Sequence, residues 1–246
     1  FLESGKGYNA SMALVFDIET VGEEWDSLDE TTQHNLSWWL RESSHTDEDF
    51  EYEMKELKEG MGLSPLTGFI VAIGVYDTER EKGAVYFSAP DAKIGVNEEN
   101  GIKYEAMGEK EMLEQFWKVA AACTEFVSFN GRSFDAPFLA IRSMVHNVVP
   151  SKDLLSNRYL SMQRGATHID LMDQLTFYGA ARFRKSLHLF CRALGIKSPK
   201  ASGTTGDDVA TLYKEKKYLD IARYNAGDLF ATAALYKRWL THSTVR

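Results

Sequence analysis

The chain has 246 residues, 44% of them hydrophobic and 12% aromatic, a composition that excludes a disordered chain and allows a sizeable core. No run of about 18 apolar residues occurs, so no membrane-spanning helix and no membrane partner is expected. The formal charge of −8 argues against a broad nucleic-acid coat, but it is unevenly spread: −12 over residues 1–60, −5 over 61–129 and +9 over 130–246. The C-terminal half is basic enough to meet phosphates locally.

Phe1 to Ser11 lack the apolar stretch of a signal peptide. With Met12 just ahead of the first strand, residues 1–11 read as a leader or an expression remnant. The remaining residues, 12–246, read as one domain. Ala13 to Ile18 predicts a buried strand, and it carries Asp17 and Glu19 two positions apart. Alternate strand residues share a face, so both carboxylates leave the sheet on one side. Like charges so placed call for a cation, and a divalent metal held by oxygens is the economical answer. A strand that merely ends in a polar turn is the plain alternative.

Residues 23–60 are rich in Glu and Asp and contain Trp38-Trp39. Leu28, Leu36, Trp39 and Leu40 suit an amphipathic helix, so this stretch reads as a helical insertion with the Trp pair packed on the domain. Pro65 and Gly68 mark a turn before a second strand, Phe69 to Tyr76, and a third follows at Ala84 to Phe87. These three strands predict an antiparallel meander. Gly95 to Gly108 reads as a loop. A helix is expected over Glu109 to Cys123, then a fourth strand, Glu125 to Phe129.

That strand leads into Asn130-Gly131-Arg132-Ser133-Phe134-Asp135 and a helix opening near Ala136-Pro137. Asp135 therefore also reads as a helix cap. Ile169 to Leu171 is a short fifth strand. Ser186 to Leu194 reads as a helix closed by Gly195, Lys197 to Gly206 as a loop, and two helices end the chain, Asp208 to Lys216 and Leu219 to His242. Cys123 and Cys191 lie far apart in apolar segments, which points to reduced core residues and a cytoplasmic protein. The order of elements predicts an α/β fold, a mixed five-stranded sheet with helices on both faces and the first strand inside it. On the last helix Tyr224 and Asp228 are four apart and face one side, with Gly227 between them to permit close approach.

Three stretches taken together carry a resemblance: Phe16-Asp17-Ile18-Glu19-Thr20, then Asn130-x-x-x-Phe134-Asp135, then Tyr224-x-x-x-Asp228. In this order they resemble the DEDD superfamily of 3′–5′ exonucleases, whose fold is ribonuclease-H-like. The tyrosine spacing is that of the tyrosine branch; Arg223 stands where the histidine branch has its histidine. Leu63-Ser64-Pro65 and His168-Ile169-Asp170-Leu171-Met172-Asp173 are similar to the proofreading-exonuclease-like family related to family-B DNA polymerases.

The resemblance implies a two-metal phosphodiester hydrolase using Mg2+ or Mn2+. It would release 5′-mononucleotides from single-stranded 3′ ends, DNA favoured over RNA. Asp17 would bridge both ions, Glu19 and Asp228 would complete one site, Asp135 would hold the other, and Tyr224 would orient the attacking water. Thr20, Asn130 and Phe134 are expected at the terminal nucleotide, with Phe134 equally readable as core. Lys200 would meet a phosphate, although Ser198-Pro199-Lys200 departs from the family's Pro-Gly-Lys. Asp170 supports the site or ends a strand, and Arg182, Arg184 and Lys185 would track a backbone. The rival readings are an RNA-processing exoribonuclease, a non-catalytic nucleic-acid-binding module on the same fold, and an interaction protein whose acidic 23–60 segment binds a partner.

Overall fold

In the computed structural model, which describes residues 13–182, 186–198 and 208–243, β1 (Ala13–Gly22) lies inside a mixed sheet. β2 (Gly68–Asp77) pairs antiparallel with β1, and β3 (Lys82–Phe87) pairs antiparallel with β2, which is the expected meander. β4 (Asn97–Glu99) and β5 (Ile102–Ala106) form a hairpin whose second strand runs parallel to β3. On the other side of β1, β6 (Glu125–Ser128) and β7 (Thr167–Asp170) extend the sheet in parallel. The order is β4-β5-β3-β2-β1-β6-β7.

The sheet therefore has seven strands and not five, and the stretch 95–108 is not simply a loop. The turn residues Asn100 (φ 51°) and Gly101 (φ 78°) are both left-handed, the backbone a two-residue hairpin requires, and Asn-Gly is its strongest sequence signal. In β5, Ile102 and Tyr104 turn inward while Lys103 and Glu105 do not. The alternation was present in the sequence, but three polar residues in β4 disguise its partner.

Between β1 and β2 stand α1 (Glu30–Ser43) and α2 (Asp47–Glu59), the expected helical segment. Asp29 caps α1 by accepting the Thr32 N–H, and Thr46 with Asp49 forms a capping box on α2. Trp38 and Trp39 do not pack away as expected; they are 49% and 48% exposed. The inner stripe of α1 runs through Gln33, Leu36, Ser37 and Leu40, so positions 38 and 39 fall beside it.

The helices cover both faces of the sheet. α3 (Glu109–Ala121) and α4 (Asp135–Val145) sit on one, over Leu14, Phe16, Phe116 and Phe138. After α5 (Leu171–Leu175) comes α6 (Leu187–Leu194), capped by Ser186 and closed by left-handed Gly195. Then follow α7 (Val209–Lys214) and the long α8 (Tyr218–His242), which lies on the opposite face over Val15, Val71, Ala72 and Val85. Each fully buried Phe or Leu contributes about 1.5–3 kcal/mol, so both layers are firmly held. The 1–11 leader reading and residues Lys200, Arg184 and Lys185 lie outside the described residues. No helix among the described residues is long and apolar enough to cross a membrane.

Candidate active site

Strand alternation decides where the first two carboxylates go. Leu14, Phe16 and Ile18 enter the α3/α4 core, so Asp17 and Glu19 face α8 with Val15 and Val21. The register of β1 on β2 shifts between Glu19 and Thr20, and in β2 the consecutive residues Val71 and Ala72 both turn to the α8 face. This is a β-bulge beside the carboxylates, a device that re-aims side chains. The Ile70 N–H at the bulge is taken by Glu109, which also binds Arg142 and His146.

α8 crosses this face closely because Gly74, opposite Asp17, has no side chain. A Cβ there would stand 2.0 Å from Asn225 Oδ1. Gly74 thus permits the approach from the sheet side. The fully buried Asn225 donates from Nδ2 to Asp17 Oδ2 at 2.8 Å, while its Oδ1 has no partner. Sequence reasoning passed over Asn225. The available signal was a polar residue next to Tyr224 on the buried side of a helix, opposite a mid-strand glycine.

Asp17, Glu19 and Asp228 each bring a carboxylate oxygen within 4.8 Å of the others. Burial, then the charges of Asp135, Asp228 and Glu19, raise the Asp17 carboxyl well above the usual range. Glu19 is raised by burial and by Asp228. No ion pair reaches Asp17 or Glu19 among the described residues, so their mutual repulsion is unrelieved by protein cations. A half-buried all-oxygen set of this kind fits Mg2+ or Mn2+.

Asp135 is the first residue of α4, and it does not cap its own helix. Its Oδ1 accepts the Ile18 N–H of β1 at 2.9 Å, beyond Val15 where the pairing with β6 ends. Burial pushes its carboxyl up to about 7, opposed by that hydrogen bond. Asp170 ends β7 and accepts the N–H groups of Asn130, Arg132 and Met172, so it anchors the loop that leads to Asp135. Burial pushes His168 down to about 4; the neutral ring donates from Nδ1 to the Leu154 carbonyl and accepts the Ser128 hydroxyl at Nε2.

Tyr224 is hydrogen-bonded to Asp228, and burial raises its hydroxyl far above the ordinary tyrosine range. Thr20 Oγ1 donates to the Gly62 carbonyl at 2.6 Å. Asn130 is left-handed (φ 66°), and Phe134 packs on Phe138. Arg223, the residue at the histidine-branch position, turns to Glu99 and Asp220 on the surface.

A mixed sheet in this order with helices on both faces, and carboxylates midway along its inner strand β1, is a ribonuclease-H-like fold similar to that of a polymerase exonuclease domain. The model of a family of predicted 3′–5′ exonucleases related to the exonuclease domain of PolB matches residues 84–245, and the chain belongs to that family. Asp135, Tyr224 and Asp228 lie inside the matched segment; Asp17 and Glu19 precede it. Among solved structures, the family B DNA polymerase from the hyperthermophilic archaeon Pyrobaculum calidifontis is similar in fold, with a TM-score of 0.54 and 18% identity. The similarity covers 96% of this chain and 25% of the polymerase. No curated protein matches the chain.

Proposed function

We propose that residues 12–246 form one metal-dependent 3′–5′ exonuclease domain that shortens single-stranded DNA and releases 5′-mononucleotides. The observation that carries this reading is the meeting of Asp17, Glu19 and Asp228, the last remote in the chain from the first two, in one half-buried cluster. Two divalent ions held there would supply charge stabilisation for the attacking and leaving oxygens of an in-line displacement. Asp17, whose Oδ2 is held by Asn225, would contribute to both ion sites. Glu19 and Asp228 would complete the first, and Asp135, tied to the Ile18 amide and outside that three-carboxylate cluster, would hold the second. Tyr224 stays protonated, so it positions water by hydrogen bonding and does not act as a base.

Thr20 and Asn130 are proposed to meet the terminal nucleotide through backbone and amide groups, and Phe134, packed on Phe138, to stack on its base. Lys200 is proposed at a substrate phosphate. The buried thiols Cys123 and Cys191 suit a reducing compartment such as the cytoplasm.

The test is digestion of 5′-labelled single-stranded DNA and RNA with and without Mn2+. The expected result is a ladder shortening from the 3′ end of DNA, dependent on metal and absent in Asp17→Ala. Faster shortening of RNA replaces the DNA assignment. Retarded but undigested substrate would overturn the exonuclease reading.

A further inference from the structure

The segment that joins α4 to α6 carries an aromatic cluster for which the chemistry above has no use. Phe177 is 72% exposed and sits at φ 51°, and the next residue, Tyr178, sits at φ 55°. Two successive left-handed aromatic residues are strained backbone that persists only where the surroundings over-determine it. Here they do. The Tyr178 N–H donates to the Asp173 carbonyl at 2.7 Å, and the Thr176 carbonyl accepts the N–H groups of Gly179 and Ala181. Asp173 is clasped by Arg158, whose guanidinium also lies 5.9 Å from the Tyr178 ring centre. Tyr159, 49% exposed, packs on Tyr178 with ring centres 4.7 Å apart. The fold thus spends strain and an ion pair between buried Asp173 and exposed Arg158 to hold one phenyl ring out in water.

The surroundings say what such a ring meets. Exposed Arg164 and Arg182 share the segment, while of its three acidic residues Asp170 and Asp173 are buried and occupied and Asp153 alone is exposed. Aromatic faces interleaved with cations are the footprint of single-stranded nucleic acid. The segment is also wired to the carboxylate end of the sheet. β1, β6 and β7 are parallel, so Asp17, the 129–134 loop and Asp170 share one edge. Arg132 of that loop binds the carbonyls of Leu154 and Leu155, four and three residues before Arg158.

We propose that Phe177, backed by the Tyr178–Tyr159 pair, is a stacking platform for a nucleobase of the single strand that leads to the 3′ terminus. This rests on the exonuclease reading and adds a subsite to it, on β7's side of the sheet and separate from Thr20, Asn130 and Phe134. Stacking reads a π-face and not a base edge, so the subsite tolerates any sequence.

The experiment uses the full chain and a 5′-fluorescein oligothymidylate. Binding is followed by anisotropy in Ca2+, and digestion in Mn2+. Phe177→Ala is expected to weaken binding and raise KM about tenfold while kcat is unchanged; Phe177→Trp retains wild-type values. An abasic nucleoside at the stacked position removes the difference between Phe177→Ala and wild type. Equal binding and equal KM in Phe177→Ala and wild type overturn the subsite, as does wild-type protein that fails to bind the oligonucleotide. Wild-type protein that binds but never shortens the strand overturns the exonuclease reading alone; the tenfold binding difference then decides the subsite by itself.

Discussion

Two regions of this molecule hold aromatic rings out in solvent, and they differ in everything else. The α1/α2 hairpin presents Trp38, Trp39 and Tyr52 among 13 acidic and 3 basic side chains over residues 23–60. The 151–182 segment presents Tyr159 and Phe177 among exposed arginines, with Asp170 and Asp173 withdrawn into hydrogen bonds and Asp153 its one exposed acid. An exposed ring alone therefore nominates nothing. A polyanionic strand is repelled by the first surface and drawn to the second. Only the second, through Asp170 and Arg132, is tied to the loop that carries Asp135.

This contrast breaks most decisively at the carboxylates. Asp17→Ala is expected to lower exonuclease turnover by at least about a hundredfold, because oriented charge at the reacting centre supplies factors of that size. Activity that survives this change leaves neither region facing a nuclease site. Tyr224→Phe follows, with turnover falling roughly a hundredfold while the fold and metal affinity stay intact; single-turnover rates and Mn2+ titration read both. Asn225→Ala frees Asp17 Oδ2, and the Mn2+ concentration for half-maximal rate should rise on the order of tenfold.

The buried acids also set a pH dependence. Asp135 is raised to about 7, and Asp17 and Glu19 are raised well above their ordinary values. Between about pH 4 and pH 7 the folded chain holds protons that the unfolded chain has released, so stability falls as pH rises through that window. Metal-free protein should melt progressively lower from about pH 5 to pH 8, and Mn2+ should reverse the decline. A flat melting profile without metal would show that these groups are not in contention for charge. The smallest effect sharpens the contrast itself. Trp38→Ala with Trp39→Ala should leave KM for single-stranded DNA within about twofold, where Phe177→Ala does not.

Much of the architecture was legible because it is written at short range. The apolar run ending in Asp17-x-Glu19, the Ser186 cap, the Gly195 stop and the helical stripe of residues 219–242 are each local periodicities or caps. The two helices appear within a residue of expectation, and the first strand starts as expected but runs on to Gly22, four residues past Ile18. Where local signals were weak the reading failed. The β4–β5 hairpin was hidden by a three-residue polar strand, despite its Asn100-Gly101 turn. Trp38 and Trp39 read as packed because Trp39 neighbours Leu36 and Leu40 at helical spacing, whereas the stripe that turns inward passes through Gln33 and Ser37 and leaves both rings outside it.

By itself the sequence determined which carboxylates exist, which share a strand face, and that Tyr224 and Asp228 stand one turn apart, since these follow from backbone geometry over a few residues. The tertiary structure alone decided that Asn225 grips Asp17 across 208 residues, that Gly74 makes room for it, and that Asp135 binds a β1 amide and does not cap its own helix. It also decided which exposed aromatic segment is hydrogen-bonded to the loop that carries Asp135. Such contacts depend on how separate elements pack, and packing is set by the shape of the whole core and not by any stretch of chain within it.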